Sequence, residues 1–392
     1  MGERGFPEGF AWGTATAAHQ VEGGNVNSDW WAWEHDPDTL CVEPSGDACD
    51  HYHRYRDDLA LLAGLGFGAY RFSVEWARVE PEEGEFSRAV LDHYGRVLDA
   101  CRDEGIEPIV TLHHFSTPRW VAVDGGWASG ATAERFGRYV RTVAQHLGDR
   151  LGRVCTINEP NVVATLGYRW GLFPPGAQDD HLHHQAIATL CEAHGAARVA
   201  LREEAPHTEV MLTLAMAEWQ AVDGGEATLE HERRLWEDVF LEATTEDDLV
   251  GVQTYTRNRV GPDGYRDAPA DAPRTQMGYE RRPAAIAATV RRAAEVTGKP
   301  VLVTEHGIAT TDDSDRIAFV REGLLALHDV IAEGVDVCGY VYWSLMDNFE
   351  WVLGYGPTFG LVAVDRTTFE RTVKDSARWL GAVARANALT DG

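Results

Sequence analysis

The chain has 392 residues, of which 44% are hydrophobic, so it is long enough to bury a large core in one domain or in two or three smaller ones. A formal net charge of −27 at pH 7 argues against nucleic acid or anionic lipid as a partner, because both are negatively charged. No apolar stretch is long enough to cross a bilayer, and no basic segment followed by an apolar one opens the chain. We therefore expect a cytoplasmic protein with no nucleic-acid or membrane partner.

Short β-type runs alternate along the chain with longer stretches in which apolar residues recur every three or four positions. Several of these helical stretches end in a glycine, as at Gly66, Gly105 and Gly334, which is typical of a left-handed helix cap. The predicted strands cover residues 9–16, 68–76, 107–115, 153–160, 208–216, 249–256, 300–307 and 337–345.

Eight strands that alternate with helices favour an α/β fold, a single (β/α)8 TIM barrel over residues 1–392, and disfavour a doubly wound sheet. No linker rich in proline, glycine or serine interrupts the series. The loosest segment, residues 261–275, is predicted to be a long loop after the sixth strand. In such a barrel the active site lies at the C-terminal ends of the strands.

Two of the predicted strands end on a carboxylate. The sequence TINEPNV at residues 156–162 places Asn158 and Glu159 directly before Pro160, which lacks an N–H and so ends the sheet pairing. The sequence PVLVTEHG at residues 300–307 ends on Glu305 in the same manner. Two carboxylates at two strand ends predict an active site.

The other strand ends carry amide, imidazole, carboxylate and indole groups. A polyhydroxylated, uncharged ligand with apolar ring faces needs this mixture, so we expect the ligand to be a sugar. The residues are Gln20 and Glu22 after the first strand, His113 and His114 after the third, Tyr255 after the sixth, and Trp343, Glu350 and Trp351 after the eighth.

A pair of carboxylates across a glycosidic bond can divide the chemistry between them: one protonates the leaving oxygen, while the other attacks the anomeric carbon or activates water. Opposed strands of a small barrel are expected to bring the two groups to about 5 Å, the separation at which the second carboxylate attacks directly. Arg71, near the end of the second strand, is expected to keep Glu305 ionised. The charge of Glu305 should then raise the pKa of Glu159, which stays a proton donor.

These residues resemble glycoside hydrolase family 1, the β-glucosidase and β-glycosidase family. The resemblance runs from FPEGFAWGTATAAHQVEGG at the N-terminus to GYGPTFGLVAVD near residue 365, with TINEPNV similar to the acid/base motif and TEHG similar to the nucleophile motif TENG. The resemblance implies a retaining exo-β-glycosidase. The main activity expected is that of a β-glucosidase, with β-galactosidase or β-fucosidase as an additional activity. The expected partner is a small-molecule β-glycoside or oligosaccharide, and neither a cofactor nor a metal is expected.

The resemblance also implies a role for individual residues. Glu159 corresponds to the acid/base and Glu305 to the nucleophile, which Arg71 and Tyr255 steady. Trp343 corresponds to the stacking floor of the sugar site. The remaining sugar contacts are expected from Gln20, His114, Asn158, Glu350, Trp351 and Phe359.

The chain departs from the family pattern at several of these motifs. His306 replaces the Asn after the nucleophile, Gln253 stands in QTY where the family has NxY, Thr358 replaces an Arg, and Phe115 replaces a Trp. Gln253 still offers an amide, so we expect a shifted hydrogen bond. A titrating His306 would alter the pH profile. The chain is also shorter between the fifth and sixth strands than most members, which suggests a more open mouth and tolerance of bulky aglycones.

Other suggestive residues have ordinary structural explanations. Trp219, Trp236 and Trp379 are predicted to be core, and His113 to be structural. The three tryptophans of SDWWAWE, at positions 30, 31 and 33, fit a rim wall or a packed segment equally well. The HLHH run at residues 181–184 opens a predicted helix and lacks an acidic or cysteine partner at ligand spacing, and the six scattered cysteines are read as free thiols.

Three alternatives to hydrolysis of a plain glycoside follow from the same residues. A phospho-β-glycosidase would need cationic or hydroxyl groups where Glu350 and Trp351 stand. A catalytically silent sugar-binding barrel is suggested only by the departures from the family motifs. Transfer of the sugar to an acceptor other than water would use the same covalent intermediate.

Overall fold

Eight parallel strands close into a barrel in the structure, a computed structural model that describes residues 4–389. The strands follow one another around the barrel in chain order, and the last pairs with the first. This arrangement confirms the predicted TIM barrel. Residues 1–3 and 390–392, which the predicted domain over residues 1–392 includes, lie outside the described residues.

Numbered along the described part of the chain, the strands are β1 (Arg4–Gly5), β2 (Ala11–Ala15), β3 (Ala69–Ser73), β4 (Glu107–Thr111), β5 (Arg153–Asn158), β6 (Glu209–Ala215), β7 (Glu218–Ala221), β8 (Val250–Thr254), β9 (Arg257–Gly261), β10 (Gly264–Arg266), β11 (Val301–His306), β12 (Val337–Trp343), β13 (Val362–Val364), β14 (Arg371–Val373) and β15 (Ala388–Leu389). The barrel strands are β2, β3, β4, β5, β6, β8, β11 and β12. Each lies within one of the eight predicted strands.

Helices fill the connections between barrel strands. They are α1 (Ala18–Val21), α2 (Asp29–Glu34), α3 (His51–Leu65), α4 (Trp76–Val79), α5 (Arg88–Asp103), α6 (Arg119–Val123), α7 (Ala131–Leu147), α8 (Pro160–Ala164), α9 (Asp180–Glu204), α10 (Glu226–Arg233), α11 (Val239–Ala243), α12 (Ala285–Thr297), α13 (Asp313–Ala332) and α14 (Asp375–Ala386). Two π-helical segments, Thr165–Arg169 and Arg234–Asp238, follow α8 and α10. The glycines predicted as caps, Gly66, Gly105 and Gly334, all have positive φ, as expected.

The barrel strands are buried on both faces, which is why they read as nearly continuous apolar runs in the sequence. All six residues of β11 and all five of β3 are buried. A separate cluster of buried side chains fills the barrel interior, with Ala69, Ile109, Cys155 and Met211 among its members. A ligand therefore meets a filled interior and can bind only at the strand ends.

The predicted long loop at residues 261–275 is partly wrong, because the loop begins with a hairpin. Strands β9 and β10 pair antiparallel, and β9 also pairs with β7 from the loop after β6. The Pro262-Asp263-Gly264 turn explains the hairpin, since Gly264 has φ of 115° and so adopts a conformation that a side chain would disfavour. The resulting three-stranded sheet belongs to the loops that follow two neighbouring barrel strands.

None of the helices within residues 4–389 combines the length and the apolar character that crossing a membrane requires. The cytoplasmic location stays a prediction.

Candidate active site

The C-terminal ends of the barrel strands surround a cavity of about 510 Å³. The cavity walls contain both strand-end carboxylates, Glu159 from the end of β5 and Glu305 from β11. Six further residues predicted for the site also line it: His114, Tyr255, Trp343, Glu350, Trp351 and Phe359. The other three, Arg71, Asn158 and Gln20, are buried and are not part of the cavity lining.

Hydrogen bonds from three neighbouring side chains hold the Glu305 carboxylate. The Arg71 Nη1 donates to Glu305 Oε1 at 2.5 Å, and Gln253 Nε2 donates to the same oxygen at 2.7 Å. The Tyr255 hydroxyl donates to Oε2 at 2.5 Å. Asn158 joins this network, because its Oδ1 accepts from Arg71 Nη2 at 2.5 Å and from Gln253 Nε2 at 2.9 Å. Both carboxylate oxygens therefore have donors, which fixes the orientation of the group.

The two carboxyl groups differ in their electrostatic surroundings. Burial raises the pKa of Glu159 well above its ordinary value, and the nearby charge of Glu305 raises it further. Burial is also the largest effect on Glu305 and leaves its pKa raised, although the charge of Arg71 and the hydrogen bonds from Tyr255, Arg71 and Gln253 lower it. For Glu159, burial raises the pKa more than the charge of Glu305 does, whereas the sequence predicts that charge as the cause. The ionised form is therefore better stabilised at Glu305 than at Glu159.

The backbone at Glu159 turns the chain from strand to helix. Its φ is 44°, in the left-handed region that costs about 1–3 kcal/mol for a residue with a side chain. Its N–H donates to Thr213 O at 2.8 Å, and Pro160 occupies the first turn of α8, where a missing N–H costs nothing. The strand ends at Asn158, as the proline predicted.

Aromatic rings pack tightly around one side of the cavity. The His114 ring stacks near Trp343, with centroids 5.8 Å apart, and near Trp351, with centroids 6.2 Å apart. Behind Trp351 lie His19, stacked at 5.5 Å, and Trp30, at 4.6 Å. Burial lowers the pKa of His114 well below its ordinary value, so this imidazole is neutral. The indoles of Trp343 and Trp351 are thus fixed in place by a layer of buried rings.

Several predicted sugar-binding side chains have polar atoms that lack a protein partner. Within residues 4–389, the buried atoms Gln20 Oε1, His114 Nδ1, Asn158 Nδ2 and Glu350 Oε2 make no hydrogen bond to the protein. Buried polar atoms are normally paired, because an unpaired one costs about 1–3 kcal/mol. Gln20 instead uses its Nε2 to donate to Phe349 O at 2.8 Å, which ties it to the loop after β12. This set of atoms fits a ligand rich in hydroxyl groups.

Glu350 is the third carboxyl group in the cavity. Burial raises its pKa to about 8, and the charge of Glu305 raises it in the same direction. The environment therefore disfavours the ionised form of Glu350.

The predictions for Gln253 and His306, two departures from the family motifs, have different outcomes. The shifted hydrogen bond expected from Gln253 is confirmed, since its amide reaches both Glu305 and Asn158. The idea that His306 titrates beside Glu305 is wrong. Its Nδ1 is hydrogen-bonded to the Tyr340 hydroxyl at 2.8 Å, and burial lowers its pKa to about 3. Successive strand residues point to opposite faces, so the imidazole packs against α13 and not into the cavity.

The tryptophans also divide into correct and incorrect predictions. Trp379 packs against the main core with part of its surface exposed. Trp236 also packs against the main core, as predicted, but it lines the cavity as well. Trp219 is half-buried and donates to Glu237. The SDWWAWE segment forms helix α2, and none of its three tryptophans lines the cavity, so the packed alternative holds.

The predictions for His113, the HLHH run and the cysteines agree with the structure. His113 is buried beside Trp127 and outside the cavity. The HLHH run lies at the start of α9, where Asp179 caps the helix by accepting from the N–H groups of His181 and Leu182. The six cysteines are free thiols.

Most residues in the outer half of the cavity are not among those predicted from the sequence. Trp170, Trp236 and Tyr265 line this half together with smaller apolar side chains. Trp170 lies shortly after Glu159 in the loop that follows the same strand, which was a usable signal. Tyr265 lies in β10, within the segment read as an unstructured loop, so no pattern in the sequence pointed to it.

Comparisons with known proteins agree with this geometry. The family model described as glycosyl hydrolase family 1 matches residues 3–251 and 244–389. Beta-glucosidase A of Thermotoga maritima is 34% identical, with 100% of each chain covered. A bifunctional beta-D-glucosidase/beta-D-fucosidase of Bifidobacterium breve is 35% identical over 95% of this chain and 97% of its own. The crystal structure of the beta-glycosidase BGL167 superimposes with a TM-score of 0.92 and 50% identity, with 99% of each chain covered. The chain belongs to glycosyl hydrolase family 1 and is a glycoside hydrolase.

Proposed function

We propose that the protein is a retaining exo-β-glycosidase of one domain that hydrolyses terminal β-linked glucose, with β-galactosides and β-fucosides as further substrates. The observation that carries the proposal is the contrast between the two cavity carboxyls. Glu305 accepts hydrogen bonds from Arg71, Gln253 and Tyr255, while burial and the charge of Glu305 favour the protonated form of Glu159. One group is thereby prepared to attack and the other to donate a proton.

In the first step, Glu305 attacks the anomeric carbon while Glu159 protonates the departing oxygen, so that the bond to the aglycone breaks as the bond to Glu305 forms. In the second step, Glu159, now ionised, takes a proton from water, which attacks the same carbon and releases Glu305. Two inversions at one carbon give overall retention of configuration. We expect the carboxyl groups to be about 5 Å apart, as direct attack requires.

The unpaired polar atoms around the cavity supply the sugar contacts. Glu350 Oε2 and Gln20 Oε1 accept from sugar hydroxyls, and Asn158 Nδ2 donates to one. His114 and Trp351 border the same sugar, Trp343 packs against its apolar face, and Phe359 closes the wall beside Tyr255. Because the barrel interior below is filled, a sugar chain cannot pass through, and only a terminal unit reaches the carboxylates.

The test is a set of initial rates on p-nitrophenyl β-glycosides of glucose, galactose, fucose, xylose and mannose, and on the 6-phosphate of the glucoside. We expect turnover of the unphosphorylated glucoside that is lost in Glu305→Gln. Glu80→Gln is the matched control, because Glu80 is fully buried but lies outside the cavity. Turnover that survives in Glu305→Gln would refute the assignment, and a preference for the phosphorylated sugar would support the phospho-β-glycosidase alternative.

A further inference from the structure

The outer half of the cavity is an aromatic wall formed by loops that follow three different barrel strands. Trp170 comes from the loop after β5, Trp236 from the loop after β6 and Tyr265 from β10, after β8. The two indole rings stack with centroids 6.2 Å apart and an interplanar angle of 27°, and Tyr265 meets Trp170 edge-on at 5.9 Å. The three rings therefore form one continuous surface, which we call the outer wall.

One polar atom of the outer wall is already paired within the protein. The Trp236 indole N–H donates to Ala215 O at 2.9 Å. The Tyr265 hydroxyl lies near the Glu232 carboxylate, whose charge helps burial to raise the pKa of this tyrosine. The same carboxylate accepts hydrogen bonds from the Arg169 guanidinium on both oxygens, at 2.8 and 3.0 Å. The indole N–H of Trp236 is therefore not available to a ligand, and Glu232 is already engaged by Arg169. The wall offers apolar surface and few hydrogen bonds.

The side chains around the outer wall are also mostly apolar. Leu166, Leu172, Met216 and Met277 line the same cavity, and Thr256 and Asn258 contribute polar groups to it. Trp170 is 37% exposed. Large aromatic surfaces exposed together, next to a cavity with catalytic carboxylates, are typical of a binding site for an apolar group. The wall is continuous with the proposed sugar site, so its occupant is the group attached to the sugar.

We propose that the outer wall selects glycosides whose aglycone is apolar, an alkyl or aryl group packed against Trp170, over glycosides whose aglycone is a second sugar. This inference rests on the proposed glycosidase function and narrows its substrate class. A second sugar brings several hydroxyl groups, and each one that leaves water without a partner weakens binding. An apolar aglycone loses nothing on this wall and gains from leaving water.

A series of alkyl β-glucosides from methyl to octyl tests the proposal, because alkanol leaving groups from ethyl upward are nearly equally basic and differ in apolar length. We expect kcat/KM to rise about two- to fourfold per methylene up to hexyl, where fourfold corresponds to about 0.8 kcal/mol for a fully buried methylene. The hexyl glucoside should exceed cellobiose by at least about tenfold. Trp170→Ala should flatten the series, while Trp170→Phe should retain much of it. Trp31→Ala is the control, since Trp31 does not line the cavity.

The outcomes separate this inference from the function on which it rests. A flat alkyl series in the wild-type protein, or a preference for cellobiose, overturns the inference even if p-nitrophenyl β-glucoside is turned over. A rising series that Trp170→Ala leaves unchanged overturns the role of the outer wall. If no glucoside of any kind is turned over, both the inference and the proposed function fail.

Discussion

Replacement of Tyr255 by phenylalanine tests how the environment of Glu305 sets the pH range of the enzyme. The change removes the hydroxyl that donates to Glu305 Oε2 at 2.5 Å and leaves the ring in place. A hydrogen bond to a charged group contributes about 1.5–3 kcal/mol, and one pKa unit corresponds to about 1.4 kcal/mol. Because the bond stabilises the ionised form, its loss should raise the pKa of Glu305 by about 1–2 units.

The expected result is a shift of one limb of the pH profile. Glu305 must be ionised to attack, so activity is lost as the pH falls through the lower apparent pKa of the coupled pair. In Tyr255→Phe, the acidic limb of kcat/KM for p-nitrophenyl β-glucoside should therefore move about 1–2 units toward higher pH. Tyr279→Phe is the matched control, because Tyr279 lines the same cavity without a hydrogen bond to Glu305. An acidic limb that stays in place in Tyr255→Phe would refute this reasoning.

Three further predictions concern other parts of the account. With azide present, Glu305→Ala should form the α-glycosyl azide and Glu159→Ala the β-glycosyl azide, because the azide replaces a different carboxylate in each variant. If NMR identifies the same product from both variants, the roles assigned to Glu305 and Glu159 are contradicted. His306→Asn should leave both limbs of the pH profile unchanged, because burial already lowers the pKa of His306 to about 3; a moved limb would show that it titrates after all. Hydrogen bonds from His51 and Arg371 lower the pKa of Asp58. The ionised carboxylate therefore stabilises the fold above the ordinary pKa of 3.8, and this stability is lost as the pH falls below that value. Asp58→Asn should cost about 3 kcal/mol at pH 7, measured by denaturant unfolding, and a cost that does not shrink toward pH 3 would count against the linkage.

The barrel was predictable because its strands are buried on both faces and its helices end in recognisable caps. The run VLVTEH of β11 is apolar up to the point where the strand delivers Glu305 to the cavity. Glu159 was predictable for a different reason, since Pro160 marks the end of β5 whatever the tertiary context. In both cases a local signal determines the position of the side chain at the strand end.

The features that sequence did not predict depend on which neighbours surround a side chain. The imidazole of His306 follows Glu305 directly, yet the alternation of a strand turns it to the opposite face, where it meets Tyr340. Trp236 is a large apolar residue of the kind expected in a core, and only the packing of its loop beside Trp170 places it on the cavity. The hairpin of β9 and β10 pairs with β7 from another loop, a long-range contact that no local pattern encodes.

The most direct test of the central claim is to trap the sugar on the enzyme. With a 2-deoxy-2-fluoro-β-glucoside that has a good leaving group, the proposed covalent intermediate should accumulate. The fluorine destabilises the positive charge that develops in both steps, and the good leaving group compensates only in the first, so that hydrolysis of the intermediate is slow. After digestion, mass spectrometry should find one fluorosugar on the peptide that contains Glu305 and none on the peptide that contains Glu159. A label on Glu159, or inactivation without any label on Glu305, would contradict the account.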